Sequence, residues 1–225
     1  MTITEKVQNV AERISWAAAR AGRRLEDVKL VAITKTVDVD LIRAAADAGV
    51  RIFGENYVQE AKEKIAAVGK DVEWHMTGHL QKNKARDAVN MFSMVQTIDS
   101  LGLAEELDKR AGAAGKVILG LIEVNLGEER SKSGVSKDEL IPFLNSVKGL
   151  KNLSVRGLMA IPPFFDEPEK VRPYFKALRE LRDRANAEGF SLSELSMGMS
   201  HDFEVAVEEG ATMVRIGTAI FGERG

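Results

Sequence analysis

An α/β fold, a barrel of eight parallel strands alternating with helices and preceded by one extra helix, is what this sequence predicts. Three observations point to it. Eight short apolar segments alternate with longer amphipathic stretches; several of those segments are apolar almost without interruption, as strands covered on both faces are; and the units recur about every 25 residues, the length of a strand–loop–helix–loop repeat. A doubly wound open sheet would give the same alternation.

The first element is a helix within residues 1–24, where Ile3, Val7, Val10, Ile14, Ala17, Ala18 and Ala21 fall at helical spacing and Gly22 supplies a stop. The strands follow at 28–34, 50–53, 73–77, 94–97, 116–125, 155–161, 194–197 and 213–216. Between them, Asp38 is placed to cap a helix through Leu41, Ile42, Ala45 and Ala46 to Gly49. Ser136 and Glu139 have capping-box spacing before Leu140, and Ser100 opens another helix. Four of the five prolines cluster at Pro162, Pro163, Pro168 and Pro173, which predicts a rigid loop after the sixth strand rather than a boundary. With 225 residues and no linker, the chain reads as one domain over 1–225.

Composition narrows the function classes. Hydrophobic residues at 44% and charged residues at 29% place the chain among globular proteins. There is no cysteine, so disulfides, thiolate nucleophiles and cysteine-based metal sites drop out, and nothing suggests an oxidising compartment. A net charge of −2 gives no broad basic face, so no nucleic-acid partner is expected. No apolar run approaches the roughly 20 residues that span a bilayer, and Glu5 and Glu12 break any signal or transit pattern in the first helix, so a cytoplasmic protein with no membrane contact is expected. The three histidines, His75, His79 and His201, lack metal-ligand spacing, and no metal is expected.

In a barrel of this kind chemistry sits at the C-terminal ends of the strands. Lys35 directly follows the apolar run Leu30-Val31-Ala32-Ile33-Thr34. Partial desolvation there favours the neutral amine, a nucleophile toward an aldehyde; a lysine reaching to solvent from a strand end is the plainer account. At the other end of the chain, Ser196-Met197-Gly198-Met199-Ser200 follows the seventh strand and Arg215-Ile216-Gly217-Thr218 ends the eighth. Their backbone N–H groups and hydroxyls converge where barrels bind phosphate, and a short helix over 201–209 aims its N-terminus at the same anion. Glycines that merely permit tight turns would look alike. Asn56 and His79 belong to the same rim, and His75 or His79 is placed to line a cofactor face. Turn or cap duty for Asn56, and a satisfied strand-end position for His75, are the competing accounts. Lys82, Lys84 and Arg86 read as a solvated helix face.

The segments ending in Lys35, together with Phe53-Gly54-Glu55-Asn56-Tyr57-Val58-Gln59-Glu60, Trp74-His75-Met76-Thr77-Gly78-His79-Leu80-Gln81-Lys82-Asn83-Lys84, Ser131-Lys132-Ser133-Gly134, Arg156-Gly157-Leu158-Met159-Ala160-Ile161-Pro162, the Ser196–Ser200 run and Val214 to Gly222, resemble the pyridoxal phosphate (PLP) homeostasis family along essentially the whole chain. That resemblance implies an alanine-racemase-type barrel with PLP as a Schiff base on Lys35. Ser200, Gly217 and Thr218 would hold the phosphate, Asn56 and His79 would lie at the ring, and Arg215 would face its nitrogen. Met159 and Met197 would pack near the cofactor. Thr34 and Thr77 depart from the apolar residues common at those positions.

The family implies a binding role in PLP homeostasis, with apo PLP-dependent enzymes as partners. Arg215 can donate to the ring nitrogen but does not leave it protonated as a carboxylate partner would, which weakens the electron sink. The sequence as read ends at Gly225, so the racemases' C-terminal domain with its tyrosine base is expected to be missing and a monomer is expected. Two alternatives stay open: an amino-acid racemase or decarboxylase using Lys35 with His79 or Tyr57, and a cofactor-free Schiff-base aldolase. Lys132 is a candidate for a second, transient PLP contact, or a solvent-exposed loop lysine.

Overall fold

A computed structural model describes residues 1–69, 71–127 and 133–223. Helix α1 (Ile3–Arg20) begins at Thr2, whose hydroxyl accepts from Glu5 N–H while the Glu5 carboxylate accepts from Thr2 N–H, a reciprocal cap. Its inward stripe of Val7, Val10, Ile14, Ala17 and Ala18 is buried. Arg13 and Arg20 pair with Glu204 and Glu208 on a later helix.

Nine strands follow among the described residues: β1 (Lys29–Ile33), β2 (Ile52–Glu55), β3 (Glu73–Met76), β4 (Met94–Ile98), β5 (Ile118–Asn125), β6 (Val135–Ser136), β7 (Leu153–Met159), β8 (Glu194–Met199) and β9 (Met213–Ile216). All pairings are parallel, in the order β4-β3-β2-β1-β9-β8-β7-β5, and a β4–β5 ladder closes the ring. The closure decides for the barrel over the open sheet. The two-residue β6 lies beside the end of β5, outside the ring of eight, and was not expected from sequence.

Each barrel strand hands on to a helix: α2 (Val39–Asp47), α3 (Val58–Val68), α4 (Ala85–Met91), α5 (Leu101–Ala113), α6 (Leu140–Val147), α7 (Arg172–Ala187), α8 (Phe203–Glu208) and α9 (Thr218–Phe221). Three capping expectations need correction. Neither the Asp38 nor the Ser100 side chain caps its helix. Ser136 Oγ donates to Glu139 Oε2 at 2.6 Å, so the pair bonds to itself instead of to the backbone that opens α6. The proline-rich stretch forms a loop leading into a short 3₁₀ turn (Pro168–Val171) and α7, with Pro173 in its first turn, as expected.

Successive strand residues face opposite ways, so two cores result. One lies between sheet and helices. The other fills the lumen with Val31, Met94, Leu121, Met159 and Met213, backed by Ile33 and Ile52. The same lumen also holds buried polar side chains, Arg215, Ser196, Gln96 and His75, linked by hydrogen bonds.

Candidate functional site

Three adjacent strands carry the central candidates. β1 and β9 pair in register Val31 with Arg215 and Ala32 with Ile216, so the end of β1 that leads to Lys35 lies beside the end of β9 that leads to Gly217 and Thr218. β9 in turn pairs β8, which runs into Ser200. The end of β1 is a tight turn: Val37 N–H donates to Thr34 O at 3.0 Å, and Lys35 sits half-buried inside it.

At β9, Ser200 Oγ accepts from both Gly217 N–H and Ala219 N–H at 3.2 Å, while Thr218 lies exposed between them. Two backbone donors and two hydroxyls therefore meet at the mouth. Gly198 makes the approach possible: its φ is +87°, and a Cβ there would stand 2.5 Å from Ala206 Cβ. The short helix after β8 covers only Phe203–Glu208, and Asp202 occupies its entry with its carboxylate accepting from Met199 N–H at 2.6 Å. The expected helix over 201–209 is thus shorter than the sequence suggested. His201 turns away, its Nε2 lying 3.1 Å from Asp166 O in the proline-rich loop.

Arg215 is the buried cation of the site, 4% exposed. Its Nη1 donates to Ser196 Oγ at 2.7 Å and its Nη2 to Ala160 O at 2.9 Å. Burial lowers it to about 10, opposed by the nearby Asp202 and Glu123 carboxylates, so it remains charged at neutral pH. Burial in turn pushes the Glu123 and Asp202 carboxyls above the usual range, Asp99 adding to the effect on Glu123. Sequence reasoning missed this acidic group. Glu123 lies inside an otherwise apolar strand, which was the available signal.

Asn56 is oriented by its neighbours: Thr77 Oγ1 donates to Asn56 Oδ1 at 3.1 Å, and Gly78 lies so close that a Cβ would stand 2.5 Å from Asn56 O. His79 is exposed and pairs with Asp99 at 3.2 Å. Asn56 and His79 share a cleft of about 430 Å³ with Tyr57 and Gln81. Met159 belongs to the lumen core. Met197 does not: Ser196 bonds inward to Gln96 and Arg215, so the next residue faces outward, and Met197 packs in the sheet–helix core. The expectation that it lies near a cofactor is corrected on that parity. His75 is likewise remote from the rim, bonded to Gln96 and lining a cleft with Lys29, Glu73 and Met213 at the N-terminal end of the lumen. Ser131 and Lys132 fall outside the described residues.

No helix among the described residues is long and apolar enough to cross a membrane. The alanine racemase N-terminal domain family matches residues 6–225. The chain is 46% identical over 226 residues to the pyridoxal phosphate homeostasis protein of Aquifex aeolicus, covering 100% of this chain and 99% of that one. The PLP-bound structure of PipY from Synechococcus elongatus superposes with a TM-score of 0.83 at 37% identity, covering 95% of this chain and 100% of that one. An alanine racemase from Clostridium difficile shares the fold, with a TM-score of 0.78 at 15% identity over 98% of this chain and 57% of the racemase. A full-length match at this identity, on a closed barrel with its donors gathered at one mouth, places the chain in the pyridoxal phosphate homeostasis protein family, built on the alanine racemase N-terminal domain.

Proposed function

We propose that this protein binds pyridoxal 5′-phosphate at the C-terminal rim of its barrel and serves in intracellular vitamin B6 homeostasis, holding the cofactor as a Schiff base on Lys35 without sustained turnover. The observation that carries this reading is the adjacency of β1, β9 and β8, which sets the Lys35 turn beside the Gly217, Ala219 and Ser200 donors and the Arg215 cation. The donor set suits the group. Neutral N–H and O–H donors match a phosphate, and a buried guanidinium, which only donates, matches a ring nitrogen that carries no proton. Bound PLP supplies an aldehyde, to which a neutral amine adds with loss of water as the C=N bond forms. Lys35 provides the amine, Ser200, Gly217 and Thr218 hold the phosphate, and Asn56, His79 and Met159 border the ring.

The PLP-bound state of PipY, similar at 37% identity, supports the cofactor assignment. The Arg215 guanidinium supports the lack of turnover: it donates to the ring nitrogen without protonating it, which leaves the bound ring a weaker electron sink than a carboxylate partner would. On this reading the protein works in the cytoplasm as a monomer and exchanges PLP with apo-enzymes by reversal of the same amine chemistry.

Purified protein with PLP should show a yellow band at about 420 nm, and borohydride followed by peptide mapping should trap the cofactor on Lys35. Trapping on a different lysine would overturn the assignment. Rapid racemisation or decarboxylation of a common amino acid would favour the enzymatic alternative, in which His79, paired to Asp99, or Tyr57 serves as acid–base group.

A further inference from the structure

The inward stripe of α3 carries Val58, Ala61 and then, one turn on, a lysine. Lys64 is 7% exposed, and its Nζ meets Glu55 Oε1 at 2.8 Å and Glu60 Oε1 at 2.6 Å. Glu55, fully buried, points outward from β2 toward α3, opposite to Gly54. Its Oε1 also accepts from Thr34 Oγ1 at 2.5 Å, while its Oε2 has no hydrogen-bond partner. Removing two carboxylates and an ammonium from water costs more than such pairs usually return, so a buried cluster of this kind contributes little to stability compared with apolar packing. Its value lies in geometry.

The cluster grips the backbone on both sides of Lys35. Lys64 Nζ donates to Thr34 O, the carbonyl of the peptide group that precedes Lys35. Glu60 Oε1 accepts at 2.5 Å from Thr36 N–H, the amide of the peptide group that follows it. Those two peptide planes define the direction in which the Lys35 side chain leaves its Cα. Thr36, which follows the second of these planes, has φ +58°, a left-handed conformation that a β-branched residue adopts only when its surroundings impose it. Lys64 and Glu60 are those surroundings.

We propose that Lys64, Glu60 and Glu55 are positioning residues for Lys35: by holding the Thr34 carbonyl and the Thr36 amide they fix the strained turn that aims the Lys35 amine into the barrel mouth. This rests on Lys35 as the amine that takes the cofactor. The three residues touch no ligand themselves. The departure of Thr34 from an apolar residue is explained by the same cluster, since its hydroxyl donates to Glu55.

The test follows PLP uptake by the full chain, read as growth of the yellow band and as borohydride-trapped Lys35 peptide. Binding of pyridoxine phosphate, which has the same ring and phosphate but an alcohol in place of the aldehyde, is measured alongside. Glu60→Ala deletes the acceptor for Thr36 N–H at a partly exposed position and leaves the Lys64–Glu55 pair in place, so it is expected to fold. It should form the covalent bond about tenfold or more slowly with pyridoxine phosphate affinity unchanged, and Glu60→Gln, which restores an acceptor oxygen, should recover the rate. The double variant Lys64→Met, Glu55→Gln removes the buried charges together and should show the same split. Covalent uptake by Glu60→Ala at the parent rate would overturn the proposal, as would an equal loss of pyridoxine phosphate binding in Glu60→Ala or failure of Glu60→Gln to recover. Failure of the underlying reading looks different: the parent protein itself would then yield no trapped Lys35 peptide.

Discussion

Arg215 Nη1 donates to Ser196 Oγ at 2.7 Å, and that contact sets the direction of a chain of hydrogen bonds through the lumen. Guanidinium groups only donate, so the Ser196 hydroxyl must pass its own proton on, to Gln96 Oε1 at 2.7 Å. The Gln96 amide nitrogen then faces His75 Nδ1 at 2.9 Å and donates to it, which leaves the ring proton on Nε2, toward Glu73 Oε2 at 3.7 Å.

This polarity predicts that neutral His75 is the Nε2–H tautomer, a state that ¹⁵N NMR of the ring reads directly. The Nδ1–H form would contradict the direction. Gln96→Leu should strand both the Ser196 hydroxyl and His75 Nδ1 in the interior, lowering the unfolding free energy by about 1–3 kcal/mol for each group left unpaired. Urea denaturation measures that loss.

Ser200→Ala and Thr218→Ala should weaken PLP retention more than they alter folding. Each deletes one hydrogen bond to a charged acceptor, about 1.5–3 kcal/mol, or roughly one to two decades in dissociation constant. Ser200 also satisfies Gly217 and Ala219 N–H, so its removal should carry the larger stability loss of the two. Equilibrium dialysis alongside thermal melts separates these effects, and unchanged PLP off-rates in both variants would exclude the phosphate role.

The barrel could be read from hydropathy because parallel strands covered on both faces are apolar throughout, and the eight barrel strands all fell on the segments expected of them. Their edges could not. Val50 was read as strand because it is apolar, yet its amide bonds back to Ala45 O and its side chain fills the core before β2 begins at Ile52. Gly54 and Glu55 looked like loop, but their place in the ladder depends on hydrogen bonds that polarity does not report. The rim was readable where a candidate residue follows an apolar run, as Lys35 and Gly217 do. It was hidden where the decisive residue interrupts one: Glu123 within β5 and Lys64 within the apolar stripe of α3 are anomalies of burial, which only the fold reveals. Met197 was misplaced because parity across the strand had to be known from Ser196.

Gly78→Ala should disturb Asn56 specifically. The added methyl would stand 2.5 Å from Asn56 O and 2.6 Å from its Cα, backbone atoms that can yield only by moving the β2 end. Overpacking of this kind costs about 1–3 kcal/mol, and because Thr77 holds the same side chain, the displaced Asn56 should also lose its bond to Thr77 Oγ1. The variant should melt lower and bind pyridoxine phosphate more weakly. Weakened binding with an unchanged melting temperature would mean that the methyl is absorbed elsewhere.

Glu123 predicts a pH dependence with a definite sign. Burial, reinforced by Asp99, holds its folded-state value above the ordinary one, with Arg215 and His79 pulling the other way. A carboxyl raised in this manner binds its proton more tightly in the folded protein than in the unfolded chain. Its contribution to stability is therefore complete below the unfolded value of about 4.3 and is lost as pH rises through the folded value, at about 1.4 kcal/mol for each unit between the two. Glu123→Gln cannot titrate at this position. Measured by urea midpoints from about pH 4 to about pH 7, the parent should lose stability relative to the variant as pH rises. A parent that instead gains on the variant over that range would mean that attraction to Arg215 outweighs the desolvation of Glu123.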